Sequence, residues 1–226
     1  LATSVGLGAT SGTVRAAHDD AQPEHVTIDF PEEEIQRYAP ELVLSDDARS
    51  KLIDVYGWRA RSTEFEDEVF VYWASYTHQT GWIGNLDSHL GDHEPLQVVV
   101  DEGTGDVSRV RASVYHWLKG EVLPSELVLT DETHPRLRVI DPWHQYSAVE
   151  EGRGGTIPAV VDLRGEWGAW LANGLEESVV PGASRNPWIM STRGDWWRRE
   201  YGFSTNEILV SATKAAGIGE VGSLED

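Results

Sequence analysis

At 226 residues the chain is long enough to bury one sizeable core, or two small ones. It carries 38 acidic against 18 basic side chains, a formal charge of −20, and no cysteine. Disulfides, zinc–cysteine centres and thiol nucleophiles are therefore excluded, and duplex DNA or an anionic membrane is a poor partner for a surface without a basic patch. Lys51, Lys119 and Lys214 are the only lysines. An acidic, lysine-poor surface suits a halophile, here expected to be archaeal. In molar salt the Debye length falls to roughly 3 Å, which screens the self-repulsion such a surface carries in dilute buffer.

Leu1 to Ala17 is small, apolar and free of acids, then gives way to His18-Asp19-Asp20. It reads either as the end of an export signal or as a disordered arm, so residues 1–24 are expected to lie outside the fold. A secreted or cell-surface location is the expectation, with the cytoplasm of a halophile as the alternative. No apolar run approaches the length of a transmembrane segment.

Val26-Thr27-Ile28-Asp29-Phe30 alternates like a short strand, and Pro31 followed by Glu32-Glu33-Glu34 is the opening of a helix. Asp46 to Tyr56 reads as a short helix or a strand approach. Val69 to Tyr76, rich in aromatic and β-branched residues, predicts a central strand, and Thr77 to Asp87 a loop. Leu96–Val100 and Val107–Trp117 flank Asp101-Glu102-Gly103-Thr104-Gly105-Asp106, a hairpin signal. Pairing centred near Thr104 sets Asp92 opposite His116. Leu127–Leu129 and Leu137–Ile140 are further strand candidates. Beyond them, Gly165–Leu171 and Asp195–Arg199 are aromatic-rich and broken by glycine, which reads as irregular structure packed on a sheet. Glu207–Ala215 reads as a strand or a short helix. The class is mainly β, with a few peripheral helices, in one domain over residues 25–226.

The chemistry concentrates in His89-Leu90-Gly91-Asp92-His93-Glu94, at the mouth of the strand Leu96–Val100. In an extended segment Asp92 and Glu94 share one face and His93 takes the other. A carboxylate pair with an imidazole is a seat for a divalent cation, with Asp87 and His116 as additional candidate ligands. Oxygen-rich ligation favours Ca²⁺, Mg²⁺ or Mn²⁺ over Zn²⁺. His89 and His93 also have zinc-protease spacing, but that motif needs a helix, and Gly91 and Pro95 oppose one. Asp141-Pro142-Trp143-His144 is a second polar and aromatic cluster. Trp73, Trp82, His93, Trp143 and His144 are the candidate ligand-binding residues around the ion. Phosphate-binding glycine loops and a serine-hydrolase elbow are absent from the sequence.

His89-x-x-Asp92-x-Glu94, followed by an apolar strand, resembles the G-H-R-H-D-W-E signature of the necrosis- and ethylene-inducing-like proteins. Tyr72-Trp73-x-x-Tyr76 is similar to that family's upstream aromatic strand, and Ser113-x-x-His116 to its later Ser-x-His strand, with one residue more. The vacuolar-sorting-associated proteins with an H-x-G-D-W-E-type motif share the His-Leu-Gly-Asp spacing, and Arg37 to Leu42 resembles their opening. The likeness spans residues 35–145, with His93 and Pro95 standing where the first family has Trp and a small or polar residue. It implies a jelly-roll-like β-sandwich and a divalent cation held by His89, Asp92 and Glu94. The expected function is cation-dependent recognition of a polar ligand, a sugar or a lipid headgroup. The alternatives are a metal-dependent hydrolase with His116 or His93 as general base, and a structural surface or virion protein.

Overall fold

The structure is a computed structural model, and it describes residues 24–80, 88–114, 118–122, 124–149 and 154–166. The elements in chain order are β1 (Val26–Asp29), α1 (Glu32–Arg37), β2 (Glu41–Val43), α2 (Asp46–Lys51), β3 (Leu52–Ser62) and β4 (Asp67–Gln79). They continue with β5 (His89–Asp101), β6 (Val107–Val114), β7 (Leu118–Val122), β8 (Leu129–Thr130), β9 (His134–Ile140), β10 (Gln145–Ala148), β11 (Gly155–Thr156) and β12 (Val160–Asp162). One helical turn follows at 163–166.

Two sheets result. The larger runs β1-β3-β4-β5-β6-β7, with β12 joined to β3, and the smaller runs β10-β9-β2-β11, with β8 joined to β9. Neighbours in the large sheet are antiparallel apart from β12, which runs parallel to β3. In the small sheet β2 lies parallel to β9.

Period-two alternation places the core between the sheets. Phe70, Tyr72, Ala74 and Tyr76 of β4 and Leu96, Val98 and Val100 of β5 face Leu42, Leu137, Val139 and Tyr146 of the small sheet. The two short helices close the edges of this layer with Ile35 and Ala48. In α2 the Ser45 hydroxyl accepts the Ala48 N–H at 3.0 Å, which fixes the helix start. Tyr72 and Trp73 therefore point to opposite faces of the sheet. Trp73 joins Trp58, Val69, Val71 and Val99 in a second buried cluster on the far side.

Gly57 shows what close packing demands. A Cβ there would lie 2.8 Å from the Val71 carbonyl oxygen on the neighbouring strand, so only glycine fits without a backbone shift.

The structure modifies three sequence expectations. The segment Thr77–Asp87 is not a loop throughout: β4 continues to Gln79, and residues 81–87 lie outside the described part. The strand predicted to begin at Leu96 begins at His89, so the acidic motif lies within a strand instead of at its mouth. Among the described residues its register with β6 begins at Leu96, and the segment before it pairs with β4. Of Leu127–Leu129 only Leu129 is in a strand.

Candidate functional site

Four segments meet at one end of the sandwich: the end of β4, the start of β5, the turn 141–144 and the N-terminus of α2. β4 and β5 pair Tyr76 with Asp92 and Ala74 with Glu94, so both carboxylates point the same way as the core row beginning at Leu96. They are fully buried, at 0 % exposure each. Two acids thus occupy positions where the next residues of the row are Leu96 and Val98. Burial of an ionised carboxylate is expensive unless it is paired, hydrogen-bonded or bound to a cation.

Asp92 is half satisfied. Its Oδ2 lies 2.5 Å from Nδ1 of His144, which is itself fully buried, and its Oδ1 has no hydrogen-bond partner. An ionised Asp92 can only accept, so the imidazole donates through Nδ1–H. The His144 ring stacks on Tyr76 at 4.0 Å and 10°, and its backbone sits in the left-handed region at φ 53. Its Nε2 lies 3.9 Å from Asp141 Oδ1, beyond hydrogen-bond reach. Asp141 is held in turn by the Ser45 hydroxyl, which donates to Asp141 Oδ2 and caps α2. Tyr146 reaches across from the small sheet and donates to the Glu94 carbonyl at 2.8 Å. Burial first, and then the negative charges of Asp92 and Glu94, hold the Tyr76 phenol well above its ordinary range. Burial likewise dominates for Tyr146, so both hydroxyls stay protonated at neutral pH.

The sequence-predicted residues divide. Asp92, Glu94 and His144 are brought into one buried cluster, although Asp92 and His144 are 52 positions apart. His89 begins β5 opposite Gln79, and its side chain lies outside the described part. Asp87, His116 and Trp82 lie outside it altogether. The pairs Leu96 with Ala112 through Val99 with Arg109 are those of a ladder centred on Thr104, but a shift between Val99 and Val100 sets Val100 opposite Val107. The expected pairing of Asp92 with His116 lies outside the described residues. His93 is half-buried on the opposite face, paired with Ser75. Trp73 is also on that face and packed in the second cluster, a packing position away from Asp92. Trp143 is half-buried in the turn that carries His144.

Among the described residues, no group of three or more His, Asp or Glu is placed to hold a metal ion by itself. Sequence reasoning missed Tyr146, Tyr76 and Ser45. Nothing in the local pattern around Ser45 or Tyr146 signals contact with β5. A shallow hollow lined by Glu32, Gln36, Arg37, His134 and Ile157 runs along α1 and does not include Asp92.

These features define a class: a two-sheet β-sandwich with an acidic pair and an imidazole buried at one end. Its fold is that of the necrosis- and ethylene-inducing proteins. A triple-substituted variant of the protein NLPPya matches with a TM-score of 0.50 and 15 % identity, over 74 % of this chain and 87 % of that one. NLPPya in complex with glucosamine is similar at a TM-score of 0.49 and 14 % identity, covering 74 % and 88 %. Necrosis and Ethylene inducing Protein 2 from the causal agent of cocoa's Witches Broom disease is similar at a TM-score of 0.45 and 18 % identity, covering 77 % and 91 %. No protein-family model matches the chain, and neither does any curated protein. No helix among the described residues is long and apolar enough to cross a membrane.

Proposed function

We propose that this chain is a divalent-cation-binding β-sandwich protein that uses the ion to recognise a polar ligand at one end of the sandwich. The observation that supports this reading is Asp92. It is a fully buried carboxylate with one oxygen fixed by His144, and its other oxygen has no partner. Glu94, two residues along the same strand face, adds a second buried acid. Such a pair fits a cation that completes the charge balance. Asp92 and Glu94 would hold it through oxygen, and His89 is the candidate for a third ligand. The oxygen-rich donor set suits Ca²⁺, Mg²⁺ or Mn²⁺ better than Zn²⁺. A bound ion would supply positive charge and open coordination positions for a hydroxyl or carboxylate of a sugar or lipid headgroup.

His144 acts here by holding Asp92, not by touching ligand. The hydrolase alternative gains no support from His93, whose side chain is on the other face of the sheet from Asp92. Export, and a halophilic setting that tolerates the −20 charge, complete the proposal.

The test is stoichiometry by elemental analysis and titration calorimetry in high salt, for wild type beside Asp92→Ala and His89→Ala. Wild type should bind about one ion, and both variants should lose it. A wild type that binds none of Ca²⁺, Mg²⁺, Mn²⁺ or Zn²⁺ overturns the reading.

A further inference from the structure

The outer face of the small sheet carries two neighbouring guanidinium groups in a chain of net charge −20. On β9, Leu137 and Val139 belong to the core, so Arg136 and Arg138 lie on the opposite face. Two residues along a strand set them about 7 Å apart. The register places Glu41 and Val43 of β2 beside them on one side, and Ser147 of β10 beside Arg138 on the other.

Arg136 is only partly matched. Its Nη1 lies 3.4 Å from Glu41 Oε1, and its Nε and Nη2 are buried without a hydrogen-bond partner. Nε–H and one Nη2–H are parallel donors along one edge of the guanidinium, the edge that a carboxylate or phosphate grips with two oxygens. Glu41 is not free to turn and fill it. The Thr130 hydroxyl donates to Glu41 Oε2, and the carboxylate rests against Gly155, where a Cβ would overlap Oε1. Arg138 is half-buried and, among the described residues, in no ion pair. Two cations thus share one acid on this face. One of them is desolvated with a whole edge idle, which is costly unless an anion takes it.

We propose that Arg136 and Arg138 form an oxyanion site on the outer face of the small sheet, for the carboxylate, sulfate or phosphate group of a ligand. Arg136 grips two oxygens through Nε–H and Nη2–H. Arg138, the more exposed of the pair, supplies the second positive charge at the entrance. Asp92 and Glu94 point into the sandwich from the other sheet, so this site and the cation site stand or fall separately.

The test is proton–nitrogen NMR of the arginine Nε–H groups in the full-length chain, in Tris chloride free of divalent cations. Sodium sulfate or sodium acetate is titrated in at constant ionic strength, which separates binding from charge screening. The Arg136 resonance, identified by its loss in Arg136→Lys, should shift and saturate with either anion. In Arg138→Gln the same resonance should need about tenfold more anion, or beyond, to reach half-saturation. Arg138 is half-buried, so that variant keeps the fold and the Arg136 signal in view. Three results overturn the proposal: no shift with either anion, a shift that grows without saturating, or the same titration in wild type and Arg138→Gln.

Discussion

Replacing Asp92 by Asn separates what the buried carboxylate does for folding from what it does for a cation. Asn keeps an acceptor for the Nδ1–H of His144 and removes the charge, whereas Ala leaves that buried donor without a partner. A buried polar group left unsatisfied costs about 1–3 kcal/mol, so in chelator Asp92→Asn should be more stable than Asp92→Ala by that amount. Asp92→Asn should also match or exceed wild type in chelator, because the wild-type Oδ1 has no partner and its charge no direct cation. Ligand binding reverses the order. At a free cation concentration of 100 Kd, binding stabilises the wild type by about 2.7 kcal/mol. For a chain of this size that raises Tm by about 5–11 °C. Neither variant should respond. Calorimetric melts in EDTA and in excess Ca²⁺ or Mn²⁺ read both comparisons. An equal cation-induced shift in Asp92→Asn would refute the reasoning, since the ion would then be seated elsewhere.

Tyr146→Phe removes the buried hydrogen bond to the Glu94 carbonyl at 2.8 Å, and should lower stability by about 1–2 kcal/mol in chemical denaturation while retaining cation stoichiometry. Gly57→Ala forces a Cβ to 2.8 Å from the Val71 carbonyl, and should cost about 1–3 kcal/mol, read as a lower Tm. The Arg59 hydrogen bond holds the Asp29 carboxyl below its ordinary value. A lowered folded pKa contributes stability above the unfolded value, near about 4, that is lost as pH falls through the folded value. Melts of wild type and Asp29→Asn should therefore differ at pH 6 and converge toward pH 3. With the Asp29 side chain 38 % exposed, the difference should shrink in added salt.

The fold was legible wherever burial is periodic. β4 and the β5–β6 hairpin announce themselves by aromatic and β-branched runs either side of a glycine-rich turn, and the structure has both. β1 and α1 follow from alternation, Pro31 and an acidic first turn, whereas Asp46–Tyr56, open in the sequence between a helix and a strand, contains both α2 and the start of β3. The start of β5 was hidden because Gly91 and Pro95 are loop residues by local preference. In the sheet Gly91 adopts φ 73, and Pro95 pairs with Trp73 of β4. Pairing with a long strand overrides local propensity there. The two-residue β8 and β11 carry no periodic signal at all.

The site was legible in its acids and illegible in its supports, for a physical reason. Asp92 and Glu94 share a face by backbone geometry alone, so their spacing within one strand is enough to pair them. What surrounds them comes from elsewhere in the chain: His144 from the turn before β10, Tyr146 from the small sheet, and Asp141 fixed by a serine that caps α2. Those contacts exist only once the two sheets pack, and each supporting residue does something its own neighbourhood does not encode. His144 itself stood out in the sequence as a ligand-facing residue. In the structure it is buried, stacked on Tyr76 and bonded to Asp92. A buried carboxylate oxygen without a hydrogen-bond partner is costly for a fold to keep unless something occupies it, and Asp141 Oδ1 and His144 Nε2 beside it are unpartnered as well. That asymmetry, one oxygen of Asp92 fixed by the protein and the other left open, is the strongest physical reason to look for a cation there.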